Sequence, residues 1–254
     1  MAHIVVNFLS ATLERAIEFV VILPTITAPE LGIYKNGEAH YEGQLKYPVL
    51  YLLHGYLNDY HSWEAYTSIE RYAEERNIAI ILISGENKFF SNVNNDDFED
   101  FIEGELQDFV KGTFPVSGRM EDTYIAGLSM GGFGALYHAL KYPNKYMGVG
   151  AFSPAIIETF QGTSKKKVDL TKLLEKDVAE ETDLPWIYCT IGSKDDLLNE
   201  VKPFMNAIKK HHLESYQKVI PGYGHEWPFL DIEVKNFLDM LPRSDAYAGT
   251  KKRI

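Results

Sequence analysis

Ser129 lies in Gly127-Leu128-Ser129-Met130-Gly131, between the apolar run Thr123-Tyr-Ile-Ala126 and the small-residue stretch Gly131-Gly132-Phe133-Gly134-Ala135. The bare G-x-S-x-G pattern arises by chance in roughly one chain in ten of this length, so its context decides its meaning. A strand ending at residue 126, a sharp turn at Ser129 and a helix opening behind it make a nucleophile elbow, which strains the serine backbone and presents its hydroxyl outward. The start of that helix also supplies free N–H groups and a positive dipole end, which makes the Met130 amide a candidate oxyanion donor. A Walker loop would need Gly-Lys-Ser/Thr, and a dinucleotide fingerprint would need its glycines in another register.

A serine hydroxyl is a weak nucleophile unless a base lies within hydrogen-bond reach and a carboxylate orients that base. On an elbow scaffold the acid and then the histidine should follow the serine in sequence, each after a later strand. The run 186–192 leads into Ser193-Lys194-Asp195-Asp196, and the run 216–220 leads into Pro221-Gly-Tyr-Gly224-His225-Glu226-Trp227. His225 is therefore the expected base, with Asp195 or Asp196 as its carboxylate partner. His138 falls inside the helix after the elbow, and His211 and His212 fall at a helix end, where the dipole accounts for them. His54 closes an earlier strand and opens His54-Gly55-Tyr56, the place from which a second oxyanion donor, the Tyr56 amide, is expected. The His54 side chain is expected to orient that loop rather than act as a base.

Strands are expected at 4–8, 18–23, 49–54, 78–84, 123–126, 147–152, 186–192 and 216–220, the first two as an antiparallel edge. Helical periodicity covers 63–76, 100–111, 131–142, 200–213 and 227–241. This alternation means a mostly parallel α/β sheet with helices on both faces, whose carboxyl edge gathers the residues named above. The stretch 154–185 reads either as a small cap over the site or as a surface excursion with a short helix near 170–176.

The 254 residues, 45% of them hydrophobic, suit one domain with a sizeable core. A net charge of -11 disfavours nucleic acid as a partner. The lone Cys189 offers neither a disulfide nor a cysteine metal cluster, so chemistry without cofactor or metal is expected. The stretch 16–23 is interrupted by Glu18 and lacks a basic start, which predicts a cytoplasmic protein without a membrane span. Small-molecule partners are expected, and a homo-oligomer stays open.

Taken together, Val49-Leu-Tyr-Leu-Leu-His-Gly55, residues 58–63, Phe98-Glu-Asp-Phe-Ile-Glu-Gly-Glu-Leu106, Ala126-Gly-Leu-Ser-Met-Gly-Gly-Phe-Gly-Ala135, Phe152-Ser-Pro154 and Gly222-Tyr-Gly-His-Glu-Trp227 resemble the esterase D or putative-esterase family. That family includes tributyrin esterases, S-formylglutathione hydrolases, feruloyl esterases and mycolyltransferases. The resemblance implies an α/β-hydrolase fold, the set Ser129, Asp195 and His225, and oxyanion donors at Tyr56 and Met130. Asp195 is favoured over Asp196 because the family pattern after this strand is Gly-x-x-Asp, matched by Gly192-Ser-Lys-Asp195. It further implies a serine carboxylesterase for small esters, most like the tributyrin-type acetyl esterases, with Phe89, Phe90 and Trp227 as candidate pocket residues. Thioester hydrolysis of the formylglutathione type, feruloyl ester hydrolysis, acyl transfer and a non-catalytic binding module are the alternatives.

Overall fold

The computed structural model describes residues 1–31, 45–93, 96–157, 168–252 and 254. Its strands are β1 Ala2–Ser10, β2 Arg15–Leu23, β3 Val49–Leu53, β4 Ala79–Ile83, β5 Thr123–Leu128, β6 Gly148–Phe152, β7 Trp186–Gly192 and β8 Ser215–Ile220. They form one sheet in the order β1-β2-β4-β3-β5-β6-β7-β8, antiparallel at β1-β2-β4 and parallel from β4 to β8. The expected strands are all present, and β7 has the expected bounds. The central strands are continuous apolar runs because both faces are covered: every residue of Val49-Leu-Tyr-Leu-Leu53 is fully buried. Edge strand β1 instead alternates, with Ile4, Val6 and Phe8 turned to the core and His3, Val5, Asn7 and Leu9 to solvent.

The helices are α1 Ala28–Leu31, α2 His61–Tyr66, α3 Ile69–Arg76, α4 Phe98–Asp100, α5 Gln107–Thr113, α6 Met130–Lys141, α7 Leu170–Ala179, α8 Leu198–Lys210 and α9 Trp227–Met240. A π-helical segment, Phe101–Leu106, joins α4 to α5. Two cores result. One, on the face of α5 to α8, contains Tyr51, Phe101, Phe133, Leu136, Leu174 and Phe204; the other, on the face of α2, α3 and α9, contains Trp63, Ile69, Tyr72, Phe229 and Phe237. No helix among the described residues is long and apolar enough to cross a membrane.

Two expectations need correction. The helical period over 63–76 is broken: Thr67 is extended, its hydroxyl bonds the Trp63 carbonyl to end α2, and the same oxygen accepts from the Ile69 amide at 3.2 Å to start α3. The Ser68 amide is taken by Asp231 Oδ1 of α9 at 2.9 Å, so a tertiary partner fixes the break. The period expected over 100–111 contains the π-helical segment, from which Glu103 reaches His138 of α6, while Glu99 of α4 accepts from Tyr137 of the same helix. Within 154–185 the described residues form α7, a crossover helix capped by Asp169 and packed against α6 and α8. Residues 158–167 of that stretch lie outside the described residues.

Candidate active site

β5 ends at Leu128 and α6 begins at Met130, so Ser129 alone makes the turn, with φ 53° and ψ -117°. An L-residue adopts that conformation only where its surroundings impose it. Here the Ser129 amide donates to the Phe152 carbonyl at 3.0 Å, and its carbonyl accepts from Phe133 and Ala155 at 3.0 and 3.1 Å. The glycines of the pentapeptide admit the neighbouring backbone. A Cβ on Gly127 would lie 2.3 Å from the Gly131 carbonyl oxygen, and one on Gly131 would lie 2.4 Å from that of Leu53. The Ser129 side chain is partly exposed, and no hydrogen bond joins its hydroxyl to another described residue.

The loops after β7 and β8 are stitched together before either reaches its functional side chain. Ser193 donates through its amide to the Ile220 carbonyl at 2.9 Å, and Lys194 to that of Tyr223 at 2.8 Å. Gly192 permits this approach, since a Cβ there would meet the Tyr223 oxygen at 2.3 Å. The result brings His225 Nδ1 to Asp195 Oδ2 at 2.8 Å, while Asp195 Oδ1 accepts from the Leu197 amide at 2.9 Å. Burial alone would push the Asp195 carboxyl up, but the bonds from His225 and Leu197, with the buried Ser153 hydroxyl nearby, hold it below the usual carboxylate range. Because an ionised carboxylate only accepts, His225 carries its hydrogen on Nδ1 and keeps Nε2 free to act as a base. Asp196, by contrast, is exposed.

The third loop follows β3. His54 is fully buried; its Nε2 accepts from the Gly85 amide at 2.9 Å and its Nδ1 donates to the Gly55 carbonyl at 2.7 Å. Burial lowers its pKa, which suits the neutral ring that this bonding requires. His54 is therefore a brace across two loops, as expected. Asn87 Oδ1 accepts from the Leu57 amide at 2.8 Å and Ser84 Oγ from that of Tyr60 at 3.2 Å, so the turn after β4 holds the Tyr56 loop at three points.

The elbow and the loops after β3 and β8 border an open cavity of about 230 Å³, lined by Tyr56, Asn58, Ser129, His225, Glu226 and Trp227 among others. Ser129 and His225 thus face one space. Trp227 stacks on the exposed Tyr66 at 4.9 Å between ring centroids and meets Trp63 edge-on at 5.6 Å. Phe89 and Phe90 do not line this cavity; they are buried in the core, Phe89 against Phe133 and Phe90 against His54 and Phe98. Sequence reasoning missed Tyr66, Asn87 and Ser153. Only the Phe152-Ser-Pro154 segment carried a signal, and Tyr66 was legible only as part of a helical period. A larger depression of about 430 Å³ lies elsewhere, and its Arg76, Asp239, Arg243 and Lys251 are engaged in ion pairs. His3, Glu64 and Glu70 bring three metal-ligand atoms within 4.8 Å of one another, but His3 Nε2 already pairs with Glu64 at 2.5 Å.

A family model described as putative esterase matches residues 10–231. An acetyl esterase of Caldicellulosiruptor saccharolyticus is 30% identical over 270 aligned residues, covering 96% of this chain and 99% of that one. Among solved structures, FphF, a fluorophosphonate-binding serine hydrolase of Staphylococcus aureus, superposes with a TM-score of 0.82 at 26% identity, over 96% of this chain and 99% of that one. An S-formylglutathione hydrolase of the same organism gives 0.79 at 25% identity, over 94% and 98%. With the family model spanning most of the chain and the whole fold superposing on serine hydrolases, this chain belongs to the putative-esterase family and is a serine esterase of the α/β-hydrolase fold.

Proposed function

We propose that Ser129 is the nucleophile, His225 its general base and Asp195 the carboxylate that fixes the imidazole, with the Tyr56 and Met130 amides receiving the oxyanion. The observation that carries this reading is the 2.8 Å bond from His225 Nδ1 to buried Asp195, with His225 and Ser129 lining one cavity. In the first half-reaction His225 Nε2 takes the hydroxyl proton as Ser129 attacks the ester carbonyl. The proton then passes to the departing alcohol, leaving an acyl-enzyme. In the second, the same nitrogen activates water, and the acid departs from Ser129. The two amides stabilise the negative charge in both tetrahedral intermediates; losing one such donor costs about 2.7–4 kcal/mol in comparable enzymes.

The substrates are small esters with acetyl to butyryl chains. Support comes from the acetyl esterase relative and from a cavity below the roughly 300–1,000 Å³ common for drug-sized ligands. The likeness to an S-formylglutathione hydrolase keeps thioester cleavage as the second reading. Glu226 on the cavity wall weighs against it, because glutathione thioesters carry net negative charge. Treatment with a fluorophosphonate followed by peptide mass spectrometry tests the assignment. The adduct is expected on Ser129, and an adduct on another serine, or none, refutes it.

A further inference from the structure

His138 is fully buried on α6, nine residues beyond the elbow, and the proposed chemistry makes no use of it. Its Nε2 lies 2.8 Å from the Phe90 carbonyl and its Nδ1 2.6 Å from Glu103 Oε1. The carbonyl only accepts. Glu103 also accepts from the Tyr146 hydroxyl at 2.6 Å and pairs with Lys145 at 3.2 Å; burial pushes its carboxyl up, but His138, Tyr146 and Lys145 hold it below the usual range. Nε2 therefore carries a hydrogen for that carbonyl, and Nδ1 faces the Glu103 carboxyl. Such a buried pairing is seldom a source of net stability and points to a different role.

That role lies at the acceptor. Phe89 and Phe90 are consecutive non-glycine residues with φ 55° and 58°, and Glu86 in the same turn has φ 49°. Such a turn persists only where neighbours dictate it. Gly85 and Gly134 leave room for the Phe90 ring, which a Cβ on either would approach to 2.3 and 2.9 Å, and the ring packs edge-on to His54 at 5.3 Å. The same turn bonds His54 through the Gly85 amide, the Leu57 amide through Asn87, and the Tyr60 amide through Ser84. Tyr56 sits between those anchors.

We infer that His138, held by Glu103, is a positioning residue for the reaction: it pins the Phe90 carbonyl, and thereby the 84–90 turn that sets the Tyr56 amide. The inference rests on Tyr56 being an oxyanion donor. Displacing a reacting group by about 1 Å can cost on the order of 100-fold in rate, which sets the scale of the effect.

The test compares wild type with His138→Leu/Glu103→Leu, which removes both partners of the buried pair together, and with His138→Gln, whose amide can still donate to the Phe90 carbonyl. Turnover of p-nitrophenyl acetate is measured beside affinity for an aryl trifluoromethyl ketone, whose serine adduct bears the oxyanion. The double variant is expected to lose about 10- to 100-fold in kcat with KM little changed, and ketone affinity by a similar factor. His138→Gln should recover most of both. A double variant within two-fold of wild type in kcat and ketone affinity overturns the inference, as does a kcat loss that leaves ketone affinity intact. Should the double variant not fold, Asn87→Ala severs the turn from Leu57 and must show the same paired loss, or the inference fails. An inactive wild type, or an active Ser129→Ala, would instead refute the underlying assignment.

Discussion

Asp195 and Asp196 are adjacent, chemically identical and indistinguishable by composition, yet only one is placed to serve His225. Asp195 is held between His225 and the Leu197 amide with its side chain fully buried, whereas Asp196 is exposed. Replacing Asp195 by Asn preserves volume but lets the imidazole adopt the wrong tautomer, and kcat/KM should fall by about three to four orders of magnitude. Asp196→Asn should change it several-fold at most. Esterase assays on both purified variants, with circular dichroism to verify folding, decide this, and the reverse ranking would move the orienting role to Asp196. This choice was legible in sequence only through the register of Gly192-Ser-Lys-Asp195. His138 was not legible at all: inside a helical period it reads as one more helix residue, and its meaning comes from Glu103 and the Phe90 carbonyl, which no local pattern connects.

The elements converge because loops touch where side chains would obstruct them. Gly192→Ala would drive a methyl into the Tyr223 carbonyl, so the loops carrying Asp195 and His225 should separate. A loss of about 1–3 kcal/mol in urea unfolding is expected together with a lower kcat; a loss of stability with kcat unchanged would show that the two loops do not depend on this contact. At the far edge, Glu105 accepts from the Ser10 hydroxyl and from the Ala11 and Thr12 amides, tying the β1-β2 hairpin to the π-helical segment. Burial would raise its pKa, but these bonds lower it to about 2. The folded value thus lies below the unfolded one of about 4.3, so the contribution is complete above that pH and disappears as pH falls toward 2. Glu105→Gln should therefore be less stable than wild type at pH 7, with a deficit that shrinks between pH 4 and 2. A deficit independent of pH would contradict the charge-based account. Strands were readable because burial on both faces or one leaves a direct apolar signature. The break at Thr67 was not, because the helical period runs through it and Asp231, far along the chain, takes the Ser68 amide.

For the molecule as a whole, an eight-stranded sheet brings residues following β3, β5 and β8 around one small cavity, with Asp195 after β7 behind His225, and the proposed short-acyl range follows from the size of that cavity. Hydrolysis of p-nitrophenyl butyrate should exceed that of the palmitate under matched soluble conditions; the opposite order would rule out a short acyl site. The sequence disclosed this arrangement through strand order and the loop residues that follow each strand. It misplaced Phe89 and Phe90, because aromatic residues beside a site look alike whether they face the cavity or the core, and a positive-φ turn held by another helix turns these two inward. The central claim is that Ser129 forms the covalent bond to the acyl group. The most direct measurement is kcat/KM of Ser129→Ala for p-nitrophenyl acetate, taken beside its thermal unfolding. A loss of several orders of magnitude with Tm nearly unchanged is expected, since the hydroxyl is hydrogen-bonded to no other described residue. Turnover near the wild-type rate in a folded Ser129→Ala protein would contradict it.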